Sequence, residues 1–135
     1  GAITARVLSV EQTQNHAKGG LSIRESLKSG SRHATMVVTP TDGAQFLSRI
    51  KANELTTSQK TGLNKGVMPY WLKLERIGNQ FTGYESTDGK DWIQTGTIAL
   101  KLPQKIHIGM VASSHQEDTL CSVPLDRVKV VKHSK

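Results

Sequence analysis

The sequence predicts an all-β chain folded as a sandwich or barrel. Three observations carry the prediction. Apolar and polar residues alternate with period two through much of the chain, the pattern of strands with one buried face. Helical periodicity is nearly absent. Turn signals recur about every 8 to 12 residues and separate about nine candidate strands, as in sandwiches and barrels. The 135 residues suit one domain, residues 1–135, and suffice to bury a core without metals or disulfides.

The elements follow in chain order. "ITARVLSV" sets Ile3, Ala5 and Val7 against Thr4, Arg6 and Leu8. "GLSIRES" sets Leu21 and Ile23 against Ser22 and Arg24. "ATMVVT" is a β-branched run that fits a strand buried on both faces. It ends at "PTDG", where Pro40 and Asp42-Gly43 mark a turn, and "AQFLSRI" is the return strand. Residues 51 to 68 are polar and without clear period, and read as a long loop or an irregular edge strand. A helix at "ANELTTSQK" is the alternative, weakened by its threonines and serine. "YWLKLERI" is a strand, Gly78-Asn79 a two-residue hairpin turn, and "QFTGYES" its partner. "TDGKD" is a second turn, before the strand "WIQTGTIAL". "KIHIGMVASS" carries Ile106, Ile108 and Met110 on one side. "PLDRVKVV" closes the pattern, with Val128 and Val130 opposed to Arg127 and Lys129.

The net charge of +7 marks a domain that meets anions: nucleic acid, acidic glycans, lipid headgroups or an acidic protein. A ribonucleoprotein aromatic motif, paired zinc ligands and a basic helix are all missing, so nucleic acid is not an expected partner. No apolar run approaches the roughly 18 residues of a membrane span. The chain opens on Gly1 with neither an initiating Met nor a signal segment, and polypeptide upstream is expected. A single cysteine, Cys121, excludes an internal disulfide and C-x-x-C sites. Its apolar neighbours make it a small buried hydrophobe, or else a thiol joined to another chain.

Three segments carry a resemblance: "KGGLSIRESLKSGSRHATMVVTPTDGAQF", "PYWLKLERIGNQFTGYESTDGKDWIQTGT" and "IHIGMVASSH". They resemble the concanavalin A-like, laminin-G-like jelly-roll domains of large exported bacterial proteins, notably planctomycete ones. The likeness runs from Gly1 to about Val131. It implies an antiparallel jelly-roll β-sandwich in an exported setting: periplasmic, cell-surface or extracellular. It implies a non-catalytic interaction or structural module of a larger exported or membrane-associated assembly, docking on a partner chain. A carbohydrate-binding module is the alternative, with polysaccharide as ligand, and a glycoside hydrolase comes third. The family has one or two further strands before the counterpart of "GAITARV". Their absence leads us to expect a partner chain or an upstream segment that completes the sandwich.

Hydrolases of this fold class carry closely spaced carboxylates on one strand. The nearest candidates are Glu85 with Asp88 and Glu117 with Asp118, and neither pair shares a strand face, so no catalytic residue is assigned. There is no G-x-S-x-G elbow, and His16, His33, His107, His115 and His133 are dispersed without a ligand-pair spacing. The turns "STDGKD" and "PTDG" lack ligands at alternating positions, and no metal or cofactor is expected. Binding residues are sought on "YWLKLERI". There Tyr70, Leu72 and Leu74 share one face, leaving Trp71 with Lys73 and Glu75 on a charged one. The candidate ligand-binding set is Trp71, Lys73, Arg24, Arg49 and Tyr84, expected to line one concave sheet if their side chains point the same way. The competing expectation packs Trp71 under a loop or against a partner. Trp92 is expected to plug the sandwich edge. Arg24 and Glu25 are adjacent and face opposite ways, and a structural ion pair is expected at that stretch.

Overall fold

The computed structural model describes residues 1–8, 18–26, 28, 30–39, 42–103, 105–113 and 125–131. Ten strands make up the described chain: β1 (Ala2–Val7), β2 (Lys18–Arg24), β3 (His33–Thr39), β4 (Gly43–Arg49), β5 (Thr57–Lys60), β6 (Tyr70–Ile77), β7 (Gln80–Ser86), β8 (Ile93–Ala99), β9 (His107–Ser113) and β10 (Leu125–Val131). They form two five-stranded sheets, ordered β10-β1-β6-β7-β8 and β5-β4-β3-β2-β9. Every neighbouring pair is antiparallel. The expected all-β architecture is present as two facing sheets, and no helix occurs among the described residues.

The period-two residues meet between the sheets. Ile3, Ala5 and Val7 of β1 face Leu72 and Leu74 of β6 within one core that also takes Leu21, Met36 and Phe46 from the second sheet. β3 is buried along its whole length, as its β-branched run requires. β1 packs over β2, and β8 over β4 and β5, which puts β9 and β10 together on one flank. At the opposite side the sheets approach closely. A Cβ on Gly96 would stand 2.9 Å from the Cβ atoms of Gln59 and Phe46. Gly96 and Gly83 are cross-strand partners, and their missing side chains make room for Phe46 and Met36.

The stretch 51–68, read as a long loop or an irregular edge strand, holds the short edge strand Thr57–Lys60 with every residue exposed, and the alternative helix at "ANELTTSQK" does not form. An edge strand with no buried face has no alternation to betray it. β1 is hydrogen-bonded to β10 on one side and β6 on the other, so the free sheet edges among the described strands are β10, β8, β5 and β9. The turn Pro40-Thr41 and residue Cys121 lie outside the described residues.

Candidate functional site

The five candidate binding residues fall on two opposite surfaces rather than one. Trp71, Lys73 and Tyr84 lie on the outer face of the first sheet, because their neighbours Leu72, Leu74 and Phe81 fill the core. Arg24 and Arg49 lie on the outer face of the second, because Ile23 points inward. The joint concave surface is therefore not formed. Alternation settles which face of its own strand a residue occupies, and strand order places those faces on different sides.

On the first sheet, cations and rings interleave. Arg6 is opposite Trp71, and its guanidinium stands 5.8 Å from the ring centroid. Lys73 Nζ lies 4.5 Å from the Tyr84 ring and 4.8 Å from the Trp92 ring. Trp92 thus lies on this outer face, held by Lys73, and does not plug the edge. Contacts of this kind are worth about 0.5–1 kcal/mol each at exposed sites. The turn from Ser86 to Asp91 closes over Trp71. Asp88 accepts hydrogen bonds from the Ser86 hydroxyl and from the backbone N–H groups of Lys90 and Asp91. Those donors hold the Asp88 carboxyl down at about 2. Gly89 follows with φ 76°, and a Cβ there would come within 2.8 Å of the indole. Trp71 packs under a loop, as the competing expectation had it.

Glu85, the carboxylate weighed for hydrolysis, is fully buried. Its Oε1 accepts from the Tyr70 hydroxyl (2.7 Å) and the Thr61 hydroxyl (3.1 Å), and its Oε2 from the Thr95 hydroxyl. A bulge between Gly83 and Tyr84 on the β7–β8 pair turns Thr95 inward to reach it. Asn64 donates to the Tyr70 oxygen at 3.2 Å. Burial pushes the Tyr70 phenol up to about 12; the Asn64 amide opposes the shift and Glu85 adds to it. Asp88 sits on the exposed turn, so the two carboxyls do not share a site. Glu117 and Asp118 lie outside the described residues, as do His16, His115 and His133. No group of three metal-ligating side chains occurs among the described residues.

The second sheet holds what sequence reading missed. Arg24 is opposite His33 on one side and His107 on the other, and His33 is opposite Arg49. Four basic side chains form one cross-strand row. The two arginines also clamp loops. Arg24 donates to the carbonyls of Ser26 and Lys28, and Arg49 to the carbonyls of Ser31 and Glu54 and to the Thr56 hydroxyl. His33 is 6% exposed, with Nδ1 2.9 Å from the Thr35 hydroxyl, which lies 2.8 Å from the Ser22 hydroxyl. Burial, then Arg24 and Arg49, lower its pKa from 6.5 to about 4. Glu25 pairs with Arg32 across the β2–β3 loop at 2.9 Å, so the expected ion pair at "IRES" forms with a residue beyond that stretch. A signal for the row existed: Arg24, His33 and Arg49 sit at strand ends flanking the loops at 25–32 and 50–56. Only register could join them.

No family model matches the chain, and no curated protein matches it significantly. Among solved structures, the chain is similar to a protein from Saccharomyces cerevisiae described as functionally unknown. The TM-score is 0.68 at 14% identity, over 99% of this chain and 71% of that one. At that identity the likeness is one of fold.

Proposed function

We propose that this chain is a non-catalytic interaction module that docks on a partner chain through the flank formed by β9 and β10. One observation carries the reading. Ile108 is opposite Ile23 and Val130 is opposite Ile3, both core positions, yet Ile108 is 43% and Val130 51% exposed. Inward-facing apolar side chains left open on the edge strands of both sheets at one flank are the surface that an added strand and its side chains would cover. The occupant is a strand from a separate chain or from polypeptide upstream of Gly1. The concanavalin A-like jelly roll is the finer fold that the sequence resemblance supports, and an exported bacterial assembly is the setting it implies. The burial of Glu85 among hydroxyls favours a structural role for the carboxylate nearest to a hydrolase pattern.

The test is native mass spectrometry of the chain as isolated from its source, followed by binding of the recovered partner to an Ile108→Glu, Val130→Glu variant. A stoichiometric companion chain or covalent upstream segment is expected, with partner affinity reduced about tenfold or more and the melting temperature unchanged. A free, monomeric chain with no companion overturns the reading. Glycan binding at the Trp71 face is the competing reading, and Trp71→Ala would then abolish retention on a polysaccharide. The turn over Trp71 and the engagement of Tyr84 and Trp92 by Lys73 weigh against it.

A further inference from the structure

The end of the sandwich where β2 and β4 finish is built from four segments. Loop 25–32 follows β2 and loop 50–56 follows β4, and the Asn53 N–H joins them by donating to the Gly30 carbonyl at 2.8 Å. The segment 100–106 crosses from β8 to β9 and arrives at His107, opposite Arg24. The β6–β7 turn at Gly78-Asn79 lies beside it, with the Leu100 N–H on the Asn79 carbonyl. Apolar side chains stand out from this end. Leu55 is 90% exposed, and Ile50 and Ile77 are at least half exposed. The exposure of Leu55 is built in. Arg49 donates to the Glu54 carbonyl on one side of it and to the Thr56 hydroxyl on the other, so the backbone that carries the leucine is tied to β4. Four lysines share the end, Lys28, Lys51, Lys101 and Lys105, and all are exposed. Lys101 stands between buried Leu100 and Leu102 and points away from the core. The carboxylates on the four segments are Glu25, which Arg32 engages at 2.9 Å, and Glu54.

We propose that this end docks on an anionic lipid surface, with Leu55, Ile50 and Ile77 entering the headgroup layer and the lysines meeting the lipid anions. Charge complementarity selects the occupant. Large apolar side chains set among lysines are the composition of interfacial anchors: the tips gain from leaving water, and the cations gain from the negative surface potential. Tips on separate loops need no continuous apolar patch to enter lipid, whereas a protein interface is built round a packed core. The loop that presents Leu55 is already fixed by Arg49, so little ordering is needed on binding. Docking at the β9–β10 flank uses other residues, and the two readings stand or fall separately.

The test is cosedimentation of the full chain with vesicles of phosphatidylcholine alone and of an equimolar mixture with phosphatidylserine. Binding to the mixed vesicles is expected to be about tenfold or more tighter, and to weaken as sodium chloride is raised. Leu55→Ala is expected to weaken it about tenfold, from the apolar area no longer taken out of water. Lys51→Gln with Lys101→Gln is expected to weaken it about fivefold per lysine. All three side chains are exposed, so the variants are expected to keep the wild-type melting temperature. Failure to sediment with the mixed vesicles overturns the proposal and leaves the tips to a protein partner. Equal binding to both kinds of vesicle, or wild-type affinity in the Leu55 and lysine variants, overturns it as well.

Discussion

Glu85 and His33 are the two residues whose environments differ most from what their neighbours in sequence announce. Glu85 shares its strand face with Phe81 and Gly83, so its inward direction follows from alternation alone. Its donors do not, since Thr61, Tyr70 and Thr95 arrive from three separate segments. Removing one donor leaves a buried carboxyl oxygen short of a partner. Tyr70→Phe is therefore expected to cost about 1–3 kcal/mol in urea denaturation. His33 gives a pH dependence. Burial first, and then Arg24 from β2 and Arg49 from β4, put its folded pKa below that of the unfolded chain. Below pH 6.5 the unfolded chain takes up a proton that the folded one refuses. Stability therefore falls as pH drops from 6.5 towards about 4 and levels off below. The urea midpoint should follow that course, and His33→Gln should flatten it.

Among the elements, the β6–β7 hairpin was the most legible. Gly78-Asn79 gave the turn, and Ile77 does pair with Gln80. β5 was the least legible, because a strand with every residue exposed has no apolar face to mark it. The β7–β8 pair carries the tightest constraint. Gly96 leaves space that the Cβ atoms of Gln59 and Phe46 already border at 2.9 Å. Both are fixed by their backbones, so Gly96→Ala must push the sheets apart. A loss of about 1–3 kcal/mol is expected, read as a lower melting temperature. On the outer face of the same sheet, Lys73→Ala removes two ring contacts worth together about 1–2 kcal/mol. The Trp92 fluorescence maximum should shift red as the ring gains water.

For the whole molecule, the two sheets close over one core, with β9 and β10 as edge strands on the same side. There the inward face of each edge strand shows an apolar side chain to solvent. An open flank of this kind promotes association. The isolated chain is expected to self-associate in static light scattering, and Ile108→Glu with Val130→Glu to restore a monomer. The net charge of +7 opposes self-association at low salt, so the effect should grow as ionic strength rises.

The sequence by itself determined the all-β class, the main hairpin and the inward face of each well-patterned strand. Those depend on neighbours within a few residues, which period two and turn chemistry report directly. The tertiary structure decided which sheet each strand joins. That choice put Trp71, Lys73 and Tyr84 on one outer surface and Arg24 with Arg49 on the other. It also brought His107, Arg24, His33 and Arg49 into one row, although Arg24 and His107 lie 83 positions apart in the chain. Strand order and register arise from the packing of distant segments over a common core. Local alternation fixes the face of a residue but carries no label for the strand that will lie beside it.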